Sequence, residues 1–288
     1  MKSIWTLARM TFREAIRRRI VLTGLLLGFS FLVIYSIGFH YIIGQVRVGE
    51  QHIQAEGGTQ AMARIAETEG VNTLLLAGLY AVTFLSIAMA ALLAADTLAG
   101  EINSGTIQTI VTKPIRRSDV VFGKWLGFAF LLGLYFLLMG GGTVLSVLLQ
   151  AGYAPNNLLA GLGLIYMEAL LIMTIAMACS SALSALATGG IVFGLYGLAF
   201  IGGWIEQFGA ILQNPTAVKV GIIASLIIPS ETLWRRAAYE MQTPLAGALG
   251  MSPFGTVSVP SPLMIAYTVL YLLAALYVTI RIFQKRDI

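Results

Sequence analysis

Residues 71–95 read VNTLLLAGLYAVTFLSIAMAALLAA, and no Asp, Glu, Lys or Arg interrupts them. The hydrocarbon core of a bilayer is about 30 Å thick, and a helix of about 20 mostly apolar residues can cross it. This stretch therefore predicts a transmembrane helix, and it sets the class of fold to which the chain belongs.

The rest of the chain has the same character. It has 288 residues, of which 58% are hydrophobic and 11% are charged, whereas soluble domains carry about 25% charged residues. This composition excludes both a water-soluble enzyme and a disordered chain. Five further apolar segments can cross or nearly cross a bilayer: Ile20–Ile43, Val120–Leu149, Leu158–Ala187, Gly189–Ile205 and Leu263–Ile280. We therefore predict an all-α polytopic membrane protein, a single transmembrane domain of six helices over residues 1–288.

Basic residues are concentrated on one side of the predicted spans. Most of the 18 Lys and Arg residues lie before the first span, near the segment 96–119 between the second and third spans, or after the last span. Loops that remain in the cytoplasm carry the excess of Lys and Arg. We therefore expect both termini to be cytoplasmic, with an even number of crossings.

One shorter apolar run, Val218–Ile228, lies in the segment 206–262, which we place on the outer side. It ends at Pro229 and is too short to cross a bilayer. If it did cross, the basic C-terminus would lie outside, against the positive-inside rule. We favour a re-entrant helix near 218–228 over a seventh crossing. The other outer segment, Gly44–Gly70, is expected to form a short solvated helix with turns.

The first 19 residues have the pattern of an amphipathic helix that lies in the cytoplasmic interface of the membrane. At about 100° per residue, apolar side chains fall on one face and basic side chains on a neighbouring face. The apolar face consists of Ile4, Trp5, Ala8, Phe12, Ala15 and Ile16, and the basic face of Lys2, Arg9, Arg13 and Arg17. A topology signal alone would need the charges but not the apolar face. We therefore expect membrane lipids around this helix, with Trp5, Arg9, Phe12, Arg13 and Arg17 as its interfacial residues.

The sequence lacks the motifs of an enzyme. It contains no G-x-x-x-x-G-K-[ST] phosphate loop, no G-x-S-x-G and no H-E-x-x-H. The two histidines, His40 and His52, lie at or beyond the outer end of the first span, where they do not suit haem ligation. We therefore expect no catalytic site, no metal site and no cofactor in this chain, and no nucleic-acid partner.

Glu168 is the ionisable residue that lies well inside a predicted span. It is ten residues into the fourth span, which is about 15 Å deep at 1.5 Å per residue. Carboxylates at this depth are costly and face the bundle interior or water. Glu168 either lines the substrate path, or relays a proton, or fixes helix packing through a hydrogen bond or a bound proton. An autonomous channel or a proton-coupled carrier centred on Glu168 therefore remains an alternative function.

The segment 96–119 carries the most informative pattern of the chain. A short helix over 103–112 would present Ile107, Ile110 and Val111 on one side, and Pro114 would end it. Three basic residues flank this helix, namely Lys113, Arg116 and Arg117. Such a helix suits the groove of a partner protein, while composition alone fits a solvated loop equally well.

Short motifs in and around this segment decide between the two possibilities. They are Gly100-Glu101, Gly105-Thr106-Ile107, Lys113-Pro114-Ile115-Arg116-Arg117 and Gly123-Lys124. Together they resemble the cytoplasmic loop of type-2 ABC transporter permeases, the six-helix exporter class, and residues 5–14 and 229–235 are weakly similar to the same class. The chain departs from the family at Ile102-Asn103, where many members have an Arg-Glu pair. Within the class it most resembles the subgroup that contains the permease of the nitrous oxide reductase maturation system.

The resemblance implies a half-transporter whose motor is another protein. In this family a separate ATPase subunit binds ATP and Mg, and it docks on the N-terminal helix and on the loop between the second and third spans. In this chain the loop contact would be made by Gly100, Glu101, Gly105, Thr106, Ile107, Ile110, Val111, Lys113, Pro114, Arg116 and Arg117. Two permease copies and two ATPase subunits would form an exporter in the cytoplasmic membrane of a bacterium or archaeon. The segment after the fifth span would dip back into the outer leaflet.

Overall fold

A computed structural model describes residues 2–55, 59–95, 97, 116–249 and 258–285. Over these residues the chain is helical and has no strand. In chain order the helices are α1 (Lys2–Ile16), α2 (Arg19–Ala55), α3 (Gln60–Ala95), α4 (Arg117–Ala151), α5 (Leu158–Ser180), α6 (Ala185–Ile211), α7 (Pro215–Ile227), α8 (Ser230–Met241), α9 (Pro244–Leu249) and α10 (Pro262–Lys285). The all-α class is therefore confirmed.

Six of these helices are long and apolar enough to cross a membrane, namely α2, α3, α4, α5, α6 and α10. The prediction of a multi-pass membrane protein with six transmembrane helices is thus confirmed. The centre of the bundle is formed by α3, α4 and α5. In the most apolar 18 residues of these helices, 61%, 56% and 50% of the residues are buried, against 11% in α2 and 17% in α10. The apolar side chains of α2 and α10 therefore face mainly outward.

The helices α2 and α3 are longer than a bilayer requires. α2 has 37 residues and α3 has 36, so each is about 55 Å long at 1.5 Å per residue. The segment Gly44–Gly70, expected to form a short helix with turns, instead continues both helices over most of its length. Val46 packs on Gly70, and Arg47 forms an ion pair with Glu67 at 3.5 Å. Glu, Arg and Gln are good helix formers, so their appearance in the sequence does not mark the end of a helix.

The turn between α5 and α6 falls earlier than expected. The fourth span was expected to run to Ala187 and the fifth to start at Gly189, whereas α5 ends at Ser180 and α6 begins at Ala185. Serine hydroxyls bond to nearby backbone groups and compete with the helix. Ser184 does so as the cap of α6, where its hydroxyl accepts a hydrogen bond from the Ala187 amide. A small apolar run therefore looked like continuous helix but contains a turn.

α7 and α8 form a bent hairpin at the end of the bundle away from the termini. The angle between them is 109° at the break before Ser230. α7 follows α6 directly, and Asn214 caps it by accepting hydrogen bonds from two backbone amides. α8 ends beside the start of α5, where Met241 contacts Gly161. The hairpin therefore enters and leaves the bundle by the same face, which is the geometry of a re-entrant segment.

α8 lies inside the bundle rather than on its surface. It packs on α3, α5 and α6, and both Trp234 (3% exposed) and Arg235 (2% exposed) are buried. We expected 206–262 to be an outer segment with a re-entrant helix near 218–228. Instead, residues 206–211 complete α6, and residues 230–241 of α8 are largely enclosed by other helices. α8 is polar in sequence, and the buried guanidinium group of Arg235 is paired with Glu206 on α6.

Candidate functional site

One end of the bundle, the terminal face, is formed by α1, the first residues of α4 and the last residues of α10. Arg117 at the start of α4 donates a hydrogen bond to the Gln284 carbonyl near the end of α10 (3.1 Å). The chain also leaves α3 and enters α4 at this face. Most residues expected to contact an ATPase subunit lie between α3 and α4, outside the described residues: Gly100, Glu101, Gly105, Thr106, Ile107, Ile110, Val111, Lys113 and Pro114.

The other two expected contact residues, Arg116 and Arg117, lie at the base of α4. Arg116 is exposed and has extended backbone geometry immediately before the helix begins. Arg117 is the first helical residue and reaches α10 through its hydrogen bond. The two guanidinium groups are therefore placed where the chain enters a central helix of the bundle.

α1 packs on the same end of α4 at very short range. Cβ atoms added at Gly123 and Gly127 would each lie 2.7 Å from an atom of α1, in the second case the Ala8 carbonyl oxygen. Glycines four residues apart allow two helix backbones to approach in this way. Phe12 adds an edge-to-face contact with Phe130, with ring centroids 5.1 Å apart. α1 and α4 are therefore held together as one unit.

The apolar face of α1 is covered by protein only in part, because Trp5 and Ile16 are exposed. Ala8 and Ala15 are buried, and Phe12 is partly buried against α4. The other residues assigned to the interfacial face are exposed, namely Trp5, Arg9, Arg13 and Arg17. The helical period of the sequence predicts an apolar stripe but not which surface covers it. Of the residues expected to contact lipid, Trp5 and the three arginines are the exposed ones.

In the middle of the bundle, Glu168 of α5 is fully buried, with 0% of the residue exposed. Neither of its carboxyl oxygens has a hydrogen-bond partner among the described residues. Of the roles considered for Glu168, packing through a hydrogen bond to a neighbouring helix is therefore not observed in the described part of the chain.

Four helices meet around Glu168, and each contributes one polar group to what we call the junction cluster. The cluster consists of Tyr80 from α3, Glu168 from α5, Tyr196 from α6 and Glu231 from α8, all within electrostatic reach of one another. The ring of Trp234 lies 4.7 Å from that of Tyr80, centroid to centroid. Two carboxyl groups and two phenols are thus placed in an aromatic, water-poor setting.

A buried ion pair lies next to the junction cluster and joins α8 to α6. The Nη1 atom of Arg235 lies 2.6 Å from Oε1 of Glu206, and Nη2 donates to Oε2 at 2.9 Å. The Ser258 hydroxyl donates to the same carboxylate at 2.7 Å, and the Ser258 amide donates to the side chain of Gln207 at 3.0 Å. These contacts tie the re-entrant hairpin and the segment before α10 to the fifth span.

Glycines make room for the buried carboxyl groups. A Cβ atom at Gly203 of α6 would overlap the side chain of Glu231, and a Cβ atom at Gly221 of α7 would overlap that of Glu206. A larger residue at either position would have to displace a buried acidic side chain. The close packing of α6, α7 and α8 around the buried acidic side chains therefore depends on glycine at both positions.

The face opposite the terminal face has an open cleft of about 450 Å³ between α3, the loop after α4 and the residues after α8. Thr243 hydrogen-bonds to Glu69 across it, and the Tyr153 hydroxyl donates to the Asn72 side-chain oxygen at 3.1 Å. Burial, with a smaller effect of the Glu69 carboxylate, raises the pKa of Tyr153 to about 12. The Tyr153 phenol therefore stays protonated at neutral pH and can donate its hydrogen bond to Asn72, which joins the loop after α4 to α3.

The sequence pattern singled out Glu168 as a buried charge but not three others, which are Glu206, Glu231 and Arg235. Lys124 of α4 is buried as well. Glu206 directly follows Ile205, where the fifth span was expected to end, so it was assigned to the outside. A usable signal was present, because Glu206 lies four residues after Gly202 and three before Gly209. It therefore shares the small-residue face of α6, where a charge must be buried with a partner.

Comparison with known proteins shows what the chain as a whole is similar to. Residues 5–288 match the sequence model of a family described as ABC-2 family transporter protein. The chain is also similar to two proteins described as probable ABC transporter permease protein NosY. The one from Pseudomonas aeruginosa is 25% identical over 283 residues, which cover 96% of this chain and 94% of the relative. The one from Stutzerimonas stutzeri is 28% identical over 149 residues, which cover 52% of this chain and 47% of the relative.

Proposed function

We propose a function for this chain on the premise that it belongs to the ABC-2 family of transporter proteins. It is a permease subunit of an ABC transporter, a class in which the ATPase activity lies in a separate subunit. The match over residues 5–288 is the observation that carries this conclusion. It also confirms the family that the sequence motifs indicated.

We propose further that the terminal face is cytoplasmic and receives the ATPase subunit. The segments that end at this face hold most of the Lys and Arg residues, and segments rich in these residues stay in the cytoplasm. The chain would then lie in the cytoplasmic membrane of a bacterium or archaeon, with both termini inside. ATP and Mg would be bound by the partner.

The segment 98–115, with Arg116 and Arg117, would make the contact with the ATPase subunit. α4 follows this segment directly, and α1 is held on α4 through Gly123 and Gly127. A force on the segment would therefore move α1 and α4 together. Because α4 packs on α3 and α5, this movement would reach the junction cluster in the middle of the bundle.

Two copies of the chain, each with an ATPase subunit, would form the complete transporter, and we propose that it exports its substrate. In the most apolar 18 residues of α2, α6 and α10, only 11%, 28% and 17% of the residues are buried within one copy of the chain. Their remaining apolar surface is therefore available to lipid and to the second copy.

Co-purification tests the contact with the ATPase subunit. The chain would be expressed with the ATPase encoded beside it, and Arg116→Glu combined with Arg117→Glu should lower the retained ATPase about tenfold, which corresponds to about 1.4 kcal/mol of binding free energy. Arg64→Glu is the matched control, because Arg64 is exposed near the start of α3, at the end of the bundle away from the terminal face. Equal retention by the two variants would contradict the assignment of Arg116 and Arg117, and ATP hydrolysis by the isolated chain would contradict the proposed role.

The burial of Glu168 without a hydrogen bond favours a second candidate, an autonomous channel or a proton-coupled carrier. Such a protein, reconstituted alone, would carry protons across the membrane of liposomes, and an enclosed pH-sensitive dye would report the flux. The substitution Glu168→Gln would stop this flux. A permease subunit would show no such flux without its ATPase and ATP. Proton flux from the chain alone would therefore replace the first proposal with the second.

A further inference from the structure

The buried charges of α5, α6 and α8 do not balance. Three carboxyl groups and one guanidinium group are involved, on residues that are 5% exposed or less: Glu168, Glu206, Glu231 and Arg235. Arg235 directs both of its Nη atoms at Glu206. Its charge also acts on Glu231, but the hydrogen bond that it donates through Nη2 goes to Glu206. In the described part of the chain, Glu168 and Glu231 are therefore two carboxyl groups without a cation of their own.

Neither of these carboxyl groups has the surroundings that an ionised group needs. Among the described residues, both oxygens of Glu168 and the Oε2 atom of Glu231 lack a hydrogen-bond partner. A carboxylate in an apolar interior is so costly without a partner that the group takes up a proton instead. Two carboxylates within reach of each other would add like-charge repulsion.

Among the residues that the structure describes, the other helices that pack on α5 form no ion pair with Glu168 or Glu231. α3 and α6 contribute the phenols of the junction cluster, and the charge that acts on Glu168 is that of Glu231. The Trp125 indole N–H of α4 donates a hydrogen bond to the Thr174 hydroxyl at 2.8 Å. The backbone of the adjacent Lys124 therefore lies near the level of Thr174, which is about 9 Å along α5 from Glu168 at 1.5 Å per residue. From α10, Tyr271 lies within electrostatic reach of Cys179, which is further along α5 in the same direction.

A proton is the cation that suits this site. A metal ion held by protein side chains usually has three or more ligands, and the residues that the structure describes contain no group of three His, Cys, Asp or Glu side chains able to hold one. A proton needs one carboxyl oxygen. It also needs no cavity, because it binds within the volume of the side chain itself.

We propose that Glu168 and Glu231 form a proton-binding site of the permease, which is loaded in the arrangement seen here and unloaded when the re-entrant hairpin moves away from α5. On unloading, the O–H bond of a carboxylic acid breaks, the proton passes to water, and a carboxylate remains. Reloading is the reverse reaction. The proposal rests on the proposed function, because the partner ATPase supplies the movement.

The proposal requires that the two carboxyl groups separate, which means that the packing of α8 on α5 must open. Glu231 lies on α8, which the pair of Arg235 and Glu206 fastens to α6, whereas Glu168 lies on α5. A movement of α6 together with its hairpin would therefore carry Glu231 away from Glu168 and admit water between α5 and α8. Hydration lowers the cost of the ionised form, so the protons would leave in the opened state and return on closure.

Infrared spectroscopy of the purified permease in a detergent that contains no ester or carboxyl group tests the loaded state without any ATPase. The carbonyl band of a protonated carboxylic acid should be present at neutral pH, lose about half of its area in Glu168→Gln or Glu231→Gln, and disappear in the double variant. Glu67→Gln is the control, because Glu67 is ion-paired with Arg47 on the α2–α3 extension. A missing band, or a band unchanged in both single variants, would overturn the proposal.

Thermal unfolding checks that the variants remain folded. Gln has the shape and neutrality of a protonated carboxyl group, so both single variants should unfold at the temperature of the unmodified chain. A large drop in unfolding temperature together with an unchanged band would show that the carboxyl groups are ionised and structural, and would also overturn the proposal.

A second measurement on the complex tests unloading. Trapping the complex of permease and ATPase with a non-hydrolysable ATP analogue should diminish the carboxylic acid band relative to the nucleotide-free complex. An unchanged band would overturn the unloading step. If no ATPase binds the chain, the proposed function fails instead, and the spectrum of the permease alone still reports on the proton site.

Discussion

Arg235→Met should destabilise the bundle strongly, because it leaves Glu206 buried without its partner. The guanidinium group meets the carboxylate at 2.6 and 2.9 Å, and the two side chains are 3% and 6% exposed. Removing one partner of such a pair costs about 3–5 kcal/mol, since the remaining charge stays in a medium of low dielectric constant. The Ser258 hydroxyl still donates to Glu206 in the variant, so we expect a loss of about 3 kcal/mol, the lower end of this range.

The double variant Glu206→Gln with Arg235→Met separates the cost of an orphaned charge from the value of the pair. Replacing a buried ion pair by uncharged residues of similar volume is often close to neutral. The double variant should therefore be more stable than Arg235→Met alone, although it carries one more substitution. The coupling energy of this cycle should be about 2 kcal/mol, within the range for residues in direct contact.

Thermal unfolding of the purified chain, followed by tryptophan fluorescence, measures this effect. A chain of this size loses about 2–4 °C of unfolding temperature per kcal/mol, so Arg235→Met should unfold about 6–12 °C lower. Arg281→Met is the control, because Arg281 is exposed and contacts the Tyr277 ring on the surface of α10. The reasoning is refuted if Arg235→Met matches this control, or if the double variant is the least stable of all.

Two further substitutions test the α1–α4 contact and the opposite cleft. Gly127→Leu should cost about 1–3 kcal/mol by overpacking, since its Cβ would lie 2.7 Å from the Ala8 carbonyl oxygen, whereas Gly141→Leu on an open part of α4 should leave the unfolding temperature nearly unchanged; equal shifts would contradict the close packing. Tyr153→Phe removes the hydrogen bond to Asn72 and should cost about 0.5–1.5 kcal/mol at neutral pH. Because burial raises the pKa of Tyr153 from 10.0 to about 12, the difference in stability between the unmodified chain and the variant should be complete below pH 10 and be lost as the pH rises through 12; a difference that already changes between pH 7 and 9 would contradict this.

The number of spans could be predicted because the information is local. Each crossing helix contains its own run of apolar residues, long enough for a bilayer, and no knowledge of the rest of the fold is needed to recognise it. Helix ends are less local. The turn before α6 depends on the Ser184 cap, and the extensions of α2 and α3 depend on contacts between the two helices, such as that of Arg47 with Glu67.

The site was predicted in part, for a similar reason. The depth of Glu168 can be counted along one span, so its burial could be inferred from the sequence. Arg235 and Glu206 are 29 residues apart in the chain, and no periodicity within either helix shows that they meet. The apolar stripe of α1 could be recognised, but not that α4 covers part of it. The contact with the ATPase subunit at 98–115 stays a prediction, because these residues lie outside the described part of the chain.

The length of α2 and α3 has a mechanical consequence. Each is about 55 Å long, whereas the hydrocarbon core is about 30 Å thick. Beyond the apolar runs, α2 continues from Gly44 to Ala55 and α3 begins as early as Gln60, which extends the pair by about 17 Å on the side away from the termini. A tilt of about 10° at the base of this extension would move its tip by about 3 Å. A spin label at the tip would therefore report a rotation of α2 and α3 as a larger displacement than a label near the base.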